Sequence, residues 1–218
     1  MFNKSFSTQT FPKLWYKGLI VPIVKNVDKD KLDPNNYRGI TLACTTYKIF
    51  CGVLNKRLSA WAEKNGLLYD EQNGFRAGRS CMDHVSSLTS ILETRIQRKQ
   101  DTFCLFVDFS KAYDRINRNK LWQKLSSYGL KGKLYDSLVS LYENVECSVK
   151  LSHMNTISKW FSVDTGLKQG CILSPQLFNL YINDLIRELK DASIGVKAGD
   201  TLVTCLAYAD DSVICAKN

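Results

Sequence analysis

The feature that most constrains this chain is a pair of adjacent carboxylates inside an apolar segment, LVTCLAYADDSVIC at residues 202–215. Leu202, Val203, Leu206, Ala207 and Tyr208 precede Asp210 and Asp211, and Val213, Ile214 and Cys215 follow them. Both flanks read as short buried strands. Taken alone, the pair is explained by a hairpin turn, since Asp favours turns. A second carboxylate argues for more: Asp108 closes the apolar strand TFCLFV. Two unit charges about 4 Å apart repel by about 1 kcal/mol in water and about 4 kcal/mol at an effective dielectric of 20. Carboxylates converging on one sheet therefore call for a cation or a retained proton. Hard divalent ions with oxygen ligands, Mg²⁺ above all, are the usual remedy.

The chain has 218 residues, enough for one large domain or a domain with a lobed insertion. No apolar run approaches the roughly 20 residues a bilayer-crossing helix needs, so no membrane partner is expected. The N-terminal MFNKSFSTQTFPKLW lacks the apolar core of a signal peptide. Eight cysteines stand at 44, 51, 81, 104, 147, 171, 205 and 215 with no C-x-x-C pair, which reads as reduced thiols in an intracellular protein. With only His84 and His153 beside them, zinc is disfavoured. Lys and Arg number 30 against 21 Asp and Glu, a net charge of +9 that suits a polyanionic partner. Residues 111–133 hold seven basic side chains (Lys111, Arg115, Arg118, Lys120, Lys124, Lys131 and Lys133) against one acid, Asp114. That stretch reads equally as a phosphate-tracking face or as an ordinary solvated helix face.

Periodicity predicts a strand at 19–24, helices over 42–63 and 82–99, a strand over 102–109, and helices over 119–128 and 132–143. A Gly/Arg loop, NGFRAGRS, occupies 73–80, and DKDKLDPNNYRG reads as turn-rich. A hairpin is expected from CSVKLS (147–152) and ISKWFSV (157–163). Ser174-Pro175 opens the helix QLFNLYINDLIREL, and two strands flank Asp210-Asp211. The order predicts an α+β domain, an antiparallel sheet with helices packed on one face.

Several stretches together resemble the reverse transcriptase family, in its non-LTR, LINE-type retrotransposon branch. FVDFSKAYDRI (106–116) is similar to the first catalytic motif, GLKQGCILSPQLFNLYINDL (166–185) to the Gln-Gly motif and its helix, and YADD (208–211) to the Y-x-D-D box. Upstream, WYKGLIVPIVKN, NYRGITL and EQNGFRAGRSCMDHV are similar to the fingers segments. The set stands in family order from about Phe11 onward. The resemblance implies a right-hand polymerase, with fingers over residues 1–100 and palm over 101–218, and an antiparallel palm sheet. The family continues past the box into a further palm motif and a helical thumb. The chain is thus expected to be truncated there, with the thumb absent.

The implied activity is RNA-directed DNA polymerisation, two-metal transfer of dNTPs onto a primer 3′-hydroxyl, with RNA template and DNA primer as partners. By the resemblance Asp108, Asp210 and, ranked lower, Asp211 hold two Mg²⁺ ions, with Mn²⁺ as an alternative, and the carbonyl of Phe109 is a further candidate ligand. Tyr113 matches the aromatic gate that excludes a 2′-hydroxyl, and Gln169 and Gly170 match the nucleotide-contacting pair. Lys25 and Arg38 are candidates for the triphosphate. Gly39 stands where the family usually has proline. Arg76, Arg79 and Lys111 are candidate nucleic-acid contacts. Asp114 is expected to play a structural role, pairing with a nearby base. His84 and His153 are given no role, and the tryptophans are expected in packing. The resemblance alone implies nuclear action. The alternatives are a catalytically silent nucleic-acid-binding remnant, a two-metal nuclease, and a group II intron maturase sharing the fold. Oligomeric state is not legible.

Overall fold

The computed structural model describes residues 1–26, 28, 30–151 and 156–217. They fold as two compact units, each discontinuous in sequence: Met1–Ser59 with Tyr113–Ser174, and Ala60–Ala112 with Pro175–Asn218. The architecture is mixed α and β, with six helices among the described residues.

The first unit is built on a five-stranded sheet. Its strands are β1 (Lys17–Val24), β2 (Tyr37–Leu42), β4 (Glu146–Leu151), β5 (Thr156–Ile157) and β6 (Phe161–Ser162). The order is β2-β1-β4-β5, with β6 also on β4. The β1–β2 pair is antiparallel but β1–β4 is parallel, so this sheet is mixed where an all-antiparallel one was expected. Pro22 donates no backbone hydrogen; it faces Gly39 beyond the Lys17–Ile20 stretch that pairs with β4, where β1 has one neighbour only. The expected hairpin over 147–163 forms, its second arm broken into β5 and β6, while residues 152–155, including His153, lie outside the described residues.

Strand β2 was read as part of a turn-rich stretch. The turn ends earlier, at a 3-10 turn Pro34–Asn36 whose Asp33 side chain accepts from Asn35 N, and Arg38 and Gly39 lie on the strand. Those two residues interrupt the apolar alternation that would have signalled it.

Helices α1 (Phe2–Thr8), α2 (Thr45–Lys64), α4 (Arg118–Ser127) and α5 (Lys133–Tyr142) supply the core. Trp15, 1% exposed, stacks with Phe11 at 5.8 Å between ring centroids and packs on Phe50 at 5.0 Å, and its indole N–H donates to Thr46 Oγ1. Arg118, counted above in the basic face, is instead buried. Its guanidinium donates to the carbonyls of Val163 (2.6 Å), Gly166 (2.8 Å), Tyr142 (3.1 Å) and Thr165 (3.2 Å). Burial draws its pKa below the usual arginine value. The exposed basic residues of this stretch are Lys111, Arg115, Lys120, Lys131 and Lys133.

The second unit centres on an antiparallel sheet of β3 (Phe103–Asp108), β10 (Asp211–Ala216) and β9 (Cys205–Tyr208), in that order, beside a small hairpin of β7 (Val196–Ala198) and β8 (Thr201–Val203). Helix α3 (Cys81–Gln97) starts in a capping box, Ser80 Oγ accepting from Asp83 N and Asp83 from Ser80 N. Its Ile91 packs with Val213 and Cys215, whereas Ile186 of α6 (Ser174–Asp191) packs with Cys205, Ala207 and Ile214. Successive strand residues point to opposite faces. Helices therefore cover both faces of this sheet, not one as expected, because both faces of β9 and β10 are apolar. All eight cysteines are free thiols, five of them buried.

Candidate active site

The sheet register of the second unit brings the sequence-predicted carboxylates together. Asp211 opens β10 directly opposite Asp108, the last residue of β3. Asp211 also pairs with Tyr208 across the hairpin, so Ala209 and Asp210 form its two-residue turn. The acids are separated by half the chain and juxtaposed by one strand pairing. Asp210 is half-buried, while Asp108 and Asp211 are exposed. Asp211 has its pKa raised, first by burial and then by the charges of Asp210 and Asp108. Every one of these influences disfavours its ionised form. Asp211 thus stands within reach of the charges of both other acids.

Among the described residues no group of three or more His, Cys, Asp or Glu side chains is placed so as to hold a metal ion. The three acids stand as neighbours on a sheet margin, Asp108 and Asp211 facing each other across the β3–β10 pairing and Asp210 in the adjoining turn. A groove of about 370 Å³ runs beside them, with Asp108, Asp211 and Tyr208 at one side and Val85, Leu88 and Phe106 among its apolar lining. Phe109, next to Asp108, is half-buried, and its carbonyl accepts from Ala112 N at 3.1 Å.

The candidate nucleotide-contacting residues cluster in the first unit. Tyr113 is half-buried, and its carbonyl accepts from Leu167 N at 2.8 Å. Gln169 donates through Nε2 to Asp114 Oδ1 at 3.0 Å, so Asp114 is engaged by this amide. The Gln169 carbonyl accepts from Thr41 N on β2 at 2.8 Å. Gly170 follows with φ +95°, and a Cβ there would sit 3.1 Å from Thr41 O, so the conformation and the close approach both favour glycine. Tyr113, Gln169, Gly170 and the end of β2 are thereby tied into one array. Arg38 is exposed on β2. Lys25 is exposed just past β1; its N–H donates to Asn36 O and its Nζ to Asn35 O at 3.1 Å. Lys168, which the sequence reading passed over, is buried with Nζ 4.7 Å from the Tyr47 ring centroid, and burial lowers its pKa.

The Gly/Arg loop lies in the second unit. Arg76 points inward: its fork holds Glu63, and Nη1 donates to the carbonyls of Tyr69 (2.7 Å) and Gln72 (3.1 Å). Arg79 pairs with Asp70 and also donates to Asn73 Oδ1. Lys111 is exposed, with a left-handed backbone at φ 54°. The hydrogen bonds from Arg76 and Arg79 hold the carboxyls of Glu63 and Asp70 below their ordinary values. A depressed folded-state pKa contributes stability above the unfolded value and loses it as pH falls through the folded one. We expect a urea midpoint that drops below about pH 4, and an Arg79→Gln/Arg76→Gln double variant whose midpoint is less acid-sensitive. Because both acids are solvent-screened, each pair contributes no more than about 1 kcal/mol.

Gln72, Asn73 and His84 also touch the acidic hairpin; they lie in the segment EQNGFRAGRSCMDHV noted above, but the sequence reading gave none of them a role. His84 Nε2 lies 3.0 Å from Ala207 O, and Asn73 N donates to the same carbonyl at 2.9 Å. They stand in an irregular loop and at a helix start, where no periodicity marks a buried polar residue.

A family model described as reverse transcriptase (RNA-dependent DNA polymerase) matches residues 25–218. The chain belongs to that family. Relatives among curated proteins are named for transposons, retrotransposable elements and mobile elements. It is 30% identical to the transposon TX1 149 kDa protein of Xenopus laevis over 84% of this chain and 14% of that protein. It is 28% identical to the Pol polyprotein of type-2 retrotransposable element R2DM of Drosophila melanogaster, over 84% of this chain and 17% of the relative. It is 23% identical to the RNA-directed DNA polymerase from mobile element jockey of the same fly, over 100% of this chain and 23% of the relative. The chain thus spans between about a seventh and a quarter of the length of these relatives. Among solved structures, apo telomerase from Candida tropicalis truncated from its C-terminal domain superposes with a TM-score of 0.64 at 15% identity, over 96% of this chain and 45% of that one. The same organism's telomerase with a fragment of telomeric RNA gives 0.63 at 14% identity, over 99% of this chain and 39% of that one. At such identities the likeness establishes the fold.

Proposed function

We propose that this chain is the catalytic region of an RNA-directed DNA polymerase of a LINE-type retrotransposon, extending a DNA primer with dNTPs on an RNA template. The observation that carries the reading is the pairing of Asp211 with Asp108 across β10 and β3, with Asp210 in the adjoining turn. In this reading residues 1–100 serve as fingers and 101–218 as palm, and the protein acts in the nucleus.

Asp108 and Asp210 would hold two Mg²⁺ ions, with Asp211 and the Phe109 carbonyl as additional oxygen ligands. When bound, such ions lower the pKa of an attacking hydroxyl and neutralise charge on a transferring phosphoryl group. The sheet margin keeps the carboxylates fixed while substrate moves. Lys25 and Arg38, both exposed, neutralise triphosphate oxygens, the arginine by a two-pronged fork. Gln169 and Gly170 present an amide and a bare backbone to the nucleotide. The bond from Gln169 to Asp114 orients that amide. Arg79 and Lys111 follow the nucleic-acid backbone, while Arg76, predicted as a contact too, is instead engaged inward with Glu63 and the carbonyls of Tyr69 and Gln72.

Tyr113 would bar a 2′-hydroxyl sterically. Primer extension on an RNA template tests the whole reading: dNTP incorporation is expected, and Tyr113→Ala should raise rNTP relative to dNTP incorporation by roughly 10²-fold. Incorporation that is absent, or that shows the same sugar preference in Tyr113→Ala, contradicts it.

A further inference from the structure

Outside the residues assigned above, the acidic turn is gripped by one buried amide. Ala209, the residue between Tyr208 and Asp210, has φ 56°, a left-handed backbone that only glycine adopts freely. Two-residue hairpin turns commonly require such a conformation and usually take it with glycine. Here alanine takes it, and the neighbouring contacts explain how. Gln72, 1% exposed, accepts through Oε1 from Ala209 N at 2.8 Å and from Gly74 N at 2.8 Å, while its Nε2 donates to Ala209 O at 3.4 Å. One side chain thus engages both backbone groups of the strained residue. The segment around it runs alongside β9: Ala207 N donates to Glu71 O at 2.8 Å, Asn73 N to Ala207 O at 2.9 Å, and Gln72 forms a parallel bridge with Ala207. Gly74 is essential to the fit, because a Cβ there would overlap Ala209 N. Asn179 Nδ2 fixes the far side by donating to Gly74 O at 2.6 Å.

We propose that Gln72 is a positioning residue for the reaction: it holds Ala209 in the left-handed conformation and so sets where Asp210 and Asp211 stand relative to Asp108. This rests on the polymerase reading above. An amide is suited to the task, since it offers an acceptor and a donor on one rigid plane. A displacement of about 1 Å in a catalytic group can cost about 10²-fold in rate.

The test uses Gln72→Met, which keeps length and volume but loses both hydrogen-bonding atoms, and Gln72→Met/Ala209→Gly, in which the turn no longer needs holding. Both are made in the protein expressed from its complete reading frame. Four quantities are read: amide exchange at Ala209, Mn²⁺ binding by electron paramagnetic resonance, affinity for an RNA–DNA duplex, and kcat for dNTP incorporation. In Gln72→Met we expect exchange at Ala209 to quicken about 100-fold, Mn²⁺ affinity to fall about ten-fold and kcat about 100-fold, with duplex affinity within two-fold. The double variant should recover at least ten-fold of the kcat loss and most of the Mn²⁺ affinity. Unchanged Mn²⁺ affinity in Gln72→Met, or a fall in duplex affinity parallel to kcat, overturns the proposal. So does a folded double variant with no recovery, which decides the matter if Gln72→Met alone does not fold. If the parent protein is inert in incorporation yet Mn²⁺ affinity still falls in Gln72→Met and returns in the double variant, the polymerase reading fails and the positioning role stands.

Discussion

Asp210→Asn should lower dNTP incorporation by about 10³-fold or more, equivalent to at least about 4 kcal/mol of transition-state stabilisation. The amide keeps the size of the carboxylate but removes its charge and its capacity to hold a hard cation on both oxygens. Stability should move the other way. Asp210 is one of the two charges that push up the pKa of Asp211, and it sits in a turn whose backbone is held through Ala209. Removing it relieves repulsion among three acids, so the urea midpoint of Asp210→Asn should equal or exceed that of the parent. Activity and stability measured on the same preparation separate a chemical loss from a folding loss. A variant that incorporates at more than about a tenth of the parent rate would remove Asp210 from the mechanism.

Arg118→Met should destabilise the protein by about 3–5 kcal/mol, read from urea unfolding. The methionine fills much of the space but leaves four carbonyls, those of Tyr142, Val163, Thr165 and Gly166, without their donor. Buried acceptors stripped of a charged donor lose more than neutral pairs do. Arg118→Lys should recover only part of the loss, because one ammonium cannot reproduce a planar fork reaching four oxygens. A cost below about 1 kcal/mol for Arg118→Met would mean that the carbonyls find other partners. The segment that Arg118 secures continues into Gln169 and Gly170, so a weakened nucleotide array is also expected in this variant.

Arg118 also illustrates what could not be read from the chain. In the sequence it is one of seven basic residues in a row of like charges, and nothing in charge or spacing separates a solvated arginine from one that binds carbonyls distant in sequence. The acidic pair was legible because charge in an apolar strand is costly wherever that strand packs. That the Asp210-Asp211 hairpin lies beside the Asp108 strand was implied by the family resemblance alone, and the register that sets Asp211 opposite Asp108 is a contact between remote segments. Helices α2 to α6 were legible to within a few residues, α2 and α6 from apolar spacing and the Ser174-Pro175 start, whereas α1 (Phe2–Thr8) was not predicted. Strand β2 was not, because Arg38 and Gly39 break its alternation and its signal is carried by pairing to β1. The parallel pairing of β1 with β4 depends on a contact between remote segments, to which local periodicity is blind. Gln72 was missed for the same reason: its partner is Ala209, and the need for it arises from a backbone angle that an alanine in sequence does not announce.

The most direct test of the central claim is crystallographic. Crystals of the protein with an RNA–DNA duplex and a non-hydrolysable dNTP, soaked in Mn²⁺, would be measured at the manganese absorption edge. The account predicts anomalous peaks touching the carboxylates of Asp108 and Asp210, with the triphosphate beside them. Manganese bound elsewhere, with Asp108 and Asp210 touching neither metal nor nucleotide, would contradict it.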